Sequence, residues 1–252
     1  MHGNKSSLRL EGIFHRSRLA LEECRDRPIV IGMKKWIFLL FVGLTSYGFY
    51  KILIHPMKLY VATGNPHKIT EFKRLMALHG VDFPVLFGGD YGGMPEVDEN
   101  GDSYEANAQL KVEGLEAKIG EGRWIVAEDS GLEVSALSGD PGIYSARFGG
   151  KIPQTERNQL LLSRLSNSSD RSARFICCYC LKSPDGKLYF FRGVCEGTIL
   201  AAPQGGQGFG YDPVFQPNGE QRSFAVMSDE QKDRISHRAM AFNALLRFLK
   251  KP

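Results

Sequence analysis

Between residues 58 and 80 the hydrophobic period changes once, and abruptly. Residues 58–63 read as a strand, then Asn65-Pro66 opens a helix with Asn at the N-cap and Pro at the first helical position. Ile69, Phe72, Met76 and His79 follow at spacings of three, four and three, which sets them on one helical face up to the stop at Gly80. The alternation then recurs. A second helix starts near Ser103, with Tyr104, Ala108, Val112, Leu115 and Ile119 as its apolar stripe. Residues 124–127 form a short buried strand, 132–134 extend the sheet, and 153–165 make a third helix. Residues 173–181 and 187–199 flank the turn Ser183-Pro184-Asp185-Gly186 as a hairpin, and a last helix covers about 236–250. This mixture predicts one α/β domain whose function lies in the loops between its elements.

At 252 residues the chain can bury a sizeable core, which excludes a disulfide-stapled miniprotein. With 42% hydrophobic and 24% charged residues, its composition is that of a folding chain. The net charge of +4 divides unevenly at Met57: residues 1–56 hold nine Lys/Arg and four Asp/Glu, whereas residues 57–252 hold 23 and 24. A nucleic-acid binder carries its basic excess on the folded domain, so no nucleic-acid partner is expected. The five cysteines do not form a disulfide framework. Alternation puts Cys178 and Cys180 on one strand face and Cys177 on the other. Cys177 and Cys180 have C-x-x-C spacing, but no second Cys/His pair stands at ligand spacing, so buried thiols in a reducing compartment fit better than zinc or redox chemistry.

The leading segment 1–56 contains an apolar run of 19 residues, 36–54, counted through Lys51. As a helix it is marginally long enough to cross a hydrocarbon core of about 30 Å. Three readings stand: a membrane anchor, a late signal sequence, or a stretch outside the natural protein. Arg25, Arg27, Lys34 and Lys35 precede the run, and the positive-inside rule would then export everything after it. Our expectation is a cytoplasmic protein without a membrane role, whose working domain is 57–252 and whose residues 1–56 contribute nothing to catalysis.

Four places carry possible chemistry. The loop Thr63-Gly64-Asn65-Pro66-His67-Lys68 joins a strand to a helix N-terminus, where free amides, the helix dipole and Lys68 suit phosphate; the alternative is an ordinary capped helix with a solvated lysine. It lacks the Walker spacing. Glu96, Asp98, Glu99 and Asp102 cluster ahead of the second helix, and Glu128-Asp129 follow the 124–127 strand, a position that suits hard-cation ligands. Asn107 and Lys111, four apart, share a helix face, so Lys111 suits a triphosphate or a surface salt bridge. The run from Gly205 to Pro213 packs four glycines around Phe209, Tyr211 and Asp212, without a dinucleotide fingerprint; Phe209 or Tyr211 can stack on a base. Lys232 and Ser236-His237-Arg238 complete the set. Ser130 and His237 lack a nucleophile elbow, which argues against a serine hydrolase.

The ordered segments VATGNPHKITEF, ENGDSYEANAQLK, AEDSGLEVSALSGDPGIYSARFGG, GGQGFGYDPVF and EQKDRISHRAMA resemble the inosine triphosphate pyrophosphatases, the non-canonical purine nucleoside triphosphate pyrophosphatases, over essentially all of 57–252. The resemblance implies a long mixed central sheet with flanking helices, two lobes around a cleft, a homodimer, and Mg²⁺-dependent hydrolysis of ITP, dITP and XTP to monophosphate and pyrophosphate. It places Thr63, Gly64, Asn65, Pro66, His67 and Lys68 in the phosphate loop, Glu99 and Asp129 on the metal, and Lys111 on the substrate. Asp129 falls in the general-base position with Ser130 beside it in a substrate loop. Phe209, Gly210, Tyr211 and Asp212 fall on a nucleotide contact, and Lys232, His237 and Arg238 on the base-recognising element. Many members have Asp-Asp where this chain has Glu128-Asp129, and Glu where it has Ala106. Two other readings remain: a non-catalytic nucleotide-binding protein, and a related pyrophosphatase for modified or pyrimidine nucleotides.

Overall fold

A computed structural model describes residues 57–250. The expected mixed sheet with flanking helices is present, with six strands in the order β2-β1-β3-β4-β5-β6. These are β1 (Leu59–Ala62), β2 (Val85–Leu86), β3 (Trp124–Val134), β4 (Ser172–Lys182), β5 (Leu188–Ile199) and β6 (Phe215–Pro217). The first three run parallel to one another, and β3 to β6 pair antiparallel. The helices are α1 (Pro66–Leu78), α2 (Tyr104–Ile119), α3 (Gln154–Arg164), α4 (Asp229–Ile235) and α5 (His237–Leu249). The apolar run 36–54 and its three readings lie outside the described residues; among those described, no helix is long and apolar enough to cross a membrane.

Strand alternation sends successive side chains to opposite faces, and each face has its own cover. On one face Val61, Val126, Tyr179 and Leu181 pack with Phe72 and Leu75 of α1 and Phe242 and Leu245 of α5. On the other, Ala62, Ile125, Ala127 and Cys180 pack with Ala108, Val112 and Leu115 of α2. Beyond them, Leu132, Phe175 and Phe215 form a core with Leu161 of α3 and Phe224. The cysteines obey the alternation, Cys177 lying in the first group and Cys180 in the second, and all four described cysteines are free and buried. Gly193 on β5 permits the close seating of α5, since a Cβ there would stand 2.1 Å from the His237 carbonyl oxygen.

Three readings need correction. The 124–127 and 132–134 segments are one unbroken strand, so Glu128 and Asp129 lie mid-strand and not beyond a strand's end. Ser130 sits in that same strand, not in a loop. Glu-Asp-Ser-Gly resembles a turn in sequence, but in β3 each carboxylate meets a cation, which removes the penalty for burying it. The third is α4, a helix additional to those expected, whose start carries a capping box between Ser228 and Gln231.

Candidate active site

The pleat of β3 decides the geometry. Asp129 pairs with Cys178 and therefore faces α2, whereas Glu128 pairs with Tyr179 and faces α1 and α5. Adjacent acids in sequence thus belong to two different polar clusters. Both border a cleft of about 650 Å³. Every residue that the resemblance places in the site lines it except Pro66, which is spent on starting α1; Glu96, Asp98, Asp102, Asn107 and Ser236 do not line it.

On the α2 side, Lys111 Nζ donates to Asp129 Oδ1 at 2.8 Å and to Glu99 Oε2 at 2.9 Å, and also reaches the Glu128 carbonyl oxygen at 3.2 Å. Burial opposes its charge, but Asp129 and Glu99 outweigh that and raise its pKa, so the ammonium persists. Asn107, fully buried one turn earlier on the same helix face, donates to Asp129 Oδ2 at 3.4 Å and accepts from the Gly101 amide at 2.9 Å. It braces both the aspartate and the acidic loop. Among the described residues no group of three His, Cys, Asp or Glu side chains is placed to hold a metal. Glu99 and Asp129 are a pair of hard oxygen donors already gathered around one ammonium, which fits a cation that takes its remaining oxygens from water and phosphate.

At the phosphate loop, Asn65 Oδ1 accepts from the His67 amide at 3.0 Å and from the Lys68 amide at 3.3 Å, while Thr63 Oγ1 accepts from the Asn65 amide at 3.2 Å. Those amides are therefore bonded and not free, contrary to the expectation from sequence. The pull of this loop on an anion rests on the α1 dipole and Lys68. Lys68 itself bridges to the other cluster, its Nζ lying 3.0 Å from Glu128 Oε1.

The α1 and α5 side holds a closed network. Arg238 donates from Nε to Glu128 Oε2 at 2.8 Å, from Nη2 to Glu128 Oε1 at 2.9 Å, and from Nη1 to Glu71. Lys232 donates to Glu71 Oε1 and Asp212 Oδ2, both at 2.7 Å. Burial alone would raise the Glu71 carboxyl, but Arg238 and Lys232 hold it down at about 2. His237 is buried with its ring stacked on Phe175 at 4.6 Å, and burial, then the Arg238 cation, push it well below the ordinary histidine value. It is neutral, and its Nδ1 has no partner among the described residues. Asp212 also accepts from the Phe209 amide at 2.8 Å, which fixes the glycine-rich loop; a Cβ on Gly208, at φ +74°, would collide with that carboxylate.

Of the two aromatics read as stacking residues, Tyr211 is only 4% exposed and donates its hydroxyl to the Ser145 carbonyl at 3.0 Å. Its ring belongs to the core. Phe209 is half-buried, stacks on His67 at 5.0 Å and covers Lys232 and Arg238 at 5.2 and 5.5 Å. Three contributors escaped the sequence reading. Glu71 stands one turn after Lys68, so helical spacing alone signalled it. Arg147 lines the cleft and donates to the Glu99 carbonyl at 2.9 Å, and Asn158 donates to the Gly210 carbonyl at 3.2 Å. Nothing local in the sequence points Arg147 to Glu99 or Asn158 to Gly210.

The family model for the Ham1 family matches residues 59–248. The chain belongs to the Ham1 family. It is 43% identical over 190 residues to a dITP/XTP pyrophosphatase of an Exiguobacterium species, covering 75% of this chain and 95% of that one. A dITP/XTP pyrophosphatase of Deinococcus deserti is 45% identical over 185 residues, which cover 73% of this chain and 86% of the relative. Among solved structures, the Ham1 protein of Staphylococcus aureus superposes with a TM-score of 0.68 at 37% identity, covering 77% of this chain and 98% of that one. For the Coxiella burnetii HAM1 protein the figures are 0.70, 32%, 78% and 100%. The matched residues 59–248 lie wholly within the described ones.

Proposed function

We propose that this protein is a nucleoside triphosphate pyrophosphatase that hydrolyses non-canonical purine nucleoside triphosphates, ITP, dITP and XTP, to the monophosphate and pyrophosphate. The observation that carries it is the arrangement around Asp129: a carboxylate at the cleft wall, held on Oδ1 by Lys111 and on Oδ2 by Asn107, between a phosphate-attracting helix start and a buried donor set. The relatives matched along most of their length act, by name, on dITP and XTP.

In this reading Lys68, Lys111 and the α1 N-terminus bind the triphosphate. Glu99 and Asp129 would hold Mg²⁺, which supplies charge neutralisation and polarisation of the phosphate oxygens. Asp129 takes the proton of a water that attacks the α-phosphorus, so no protein nucleophile is needed. Phe209 stacks on the base. Lys232, His237 and Arg238, with nearby backbone, set the donors that meet its 6-oxo group; adenine offers an amine there, and each donor left unpaired costs about 1–3 kcal/mol. We also read the working unit as the domain 57–252, a homodimer acting in the cytoplasm. The test is Mg²⁺-dependent pyrophosphate release from a panel of nucleoside triphosphates. Two mispaired donors correspond to a kcat/KM for dITP roughly 10² to 10⁴ above that for dATP; a ratio near one refutes the selectivity.

A further inference from the structure

Glu128 adjoins Asp129 in sequence but faces the opposite cluster. Its Oε1 accepts from Arg238 Nη2 at 2.9 Å and Lys68 Nζ at 3.0 Å. Its Oε2 accepts from Arg238 Nε at 2.8 Å and from the Cys177 thiol at 3.6 Å. The side chain is 5% exposed, and both oxygens already carry two partners, which is about what a carboxylate can accept. No lone pair is left for a cation on the Asp129 side of the strand.

We propose that Glu128 is a positioning residue for base selection, fixing the Arg238 guanidinium and the Lys68 ammonium relative to each other, and that it does not ligate the metal. The inference rests on reading the cleft as a purine nucleoside triphosphate site. Arg238 has five N–H donors in a planar fork. Two go to Glu128, one from Nη2 reaches Ser130 Oγ at 3.2 Å, and one from Nη1 goes to Glu71. The plane is therefore locked and a single Nη1 donor remains. A donor held in one place rejects a base that presents another donor to it, whereas a guanidinium free to turn would swing aside and accept both. The same carboxylate holds Lys68 at the head of the phosphate loop, so one side chain sets the distance between the two ends of the nucleotide.

The test uses the full chain with Glu128→Gln and Glu128→Asp. In Glu128→Gln the ratio of kcat/KM for dITP over dATP should fall at least about tenfold while half-saturation by Mg²⁺ moves less than about twofold. Glu128→Asp keeps the charge and should recover part of the ratio. Half-saturation raised about tenfold or more with the ratio unchanged would make Glu128 a metal ligand and overturn the proposal. If Glu128→Gln does not fold, Glu128→Asp carries the comparison, with a smaller fall in the ratio and the same indifference to Mg²⁺. The link is also read without turnover. Melting temperatures of Glu128→Gln, Lys68→Gln and the double variant should be non-additive, because both single changes break one contact; additive shifts overturn the link. Unaltered protein that releases no pyrophosphate from dITP refutes the functional reading instead, and the melting series still decides the link.

Discussion

The two faces of β3 treat a buried carboxylate in opposite ways. Facing α2, Asp129 has a cation on one oxygen and a neutral amide on the other, and Lys111 divides itself between Asp129 and the half-exposed Glu99. Facing α1 and α5, Glu128, Glu71 and Asp212 are matched by Arg238, Lys232 and Lys68, and five of those six side chains are almost wholly buried. In the proposed function the first face exchanges partners with the substrate. The second gains by keeping its partners, because a charge stripped of its counter-ion in that interior has no water to turn to. Chemistry and shape are thus separated by one pleat of one strand.

The sharpest way to break that contrast is Asp129→Asn. It should cost turnover about 10²- to 10⁴-fold at saturating Mg²⁺, since an amide cannot take the proton, with the melting temperature nearly unchanged. Pyrophosphate release and a thermal melt on the same sample check both halves, and a melt that collapses along with activity would show that the faces are not separable.

Arg238→Met probes the other face. It leaves Glu71 and Glu128 without their shared cation, and urea unfolding should register a loss of about 3–5 kcal/mol. A loss below about 1 kcal/mol would mean that the network is not what holds α5 to the strand.

Acid should act on the closed face in two stages. His237 is depressed below its ordinary 6.5, so the unfolded chain takes up a proton that the folded one refuses, and stability declines as the pH falls below that value. Glu71, at about 2 against an ordinary 4.5, contributes stability that is complete above 4.5 and lost as the pH drops from 4.5 towards 2, on the order of 3 kcal/mol. Urea titrations from pH 7 to 3 should show both, and Glu71→Gln should shrink the lower stage without removing it, because Arg238 and Lys68 also hold Glu128 well below 4.5.

The smallest effect belongs to the phosphate loop. Asn65→Ala removes the acceptor for the His67 and Lys68 amides and should cost about 1 kcal/mol by urea unfolding, with Asn65→Gly costing only a few tenths. No measurable loss for Asn65→Ala would show that this cap does not hold the loop.

Local signals found what local physics controls. The Asn65-Pro66 start, the α2 stripe from Tyr104 to Ile119 and the hairpin about Ser183 to Gly186 were legible because caps, the helical period and turn residues act within a few positions. The two-residue β2 and three-residue β6 were not, since neither is long enough to show a period. The resemblance carried the residue set of the site into one cleft, yet Glu71, Arg147 and Asn158 stayed hidden. Their partners are Arg238, Glu99 and Gly210, 167, 48 and 52 positions away.

By itself the sequence determined the alternation of strand and helix, the family, and which residue types gather at the cleft, because each of these is written in short motifs. Only the tertiary structure decided that Glu128 and Asp129, neighbours along the chain, serve different clusters. The physical reason is that β3 continues through them: a strand turns successive side chains to opposite faces, and which cations wait on each face depends on helices folded from distant parts of the chain.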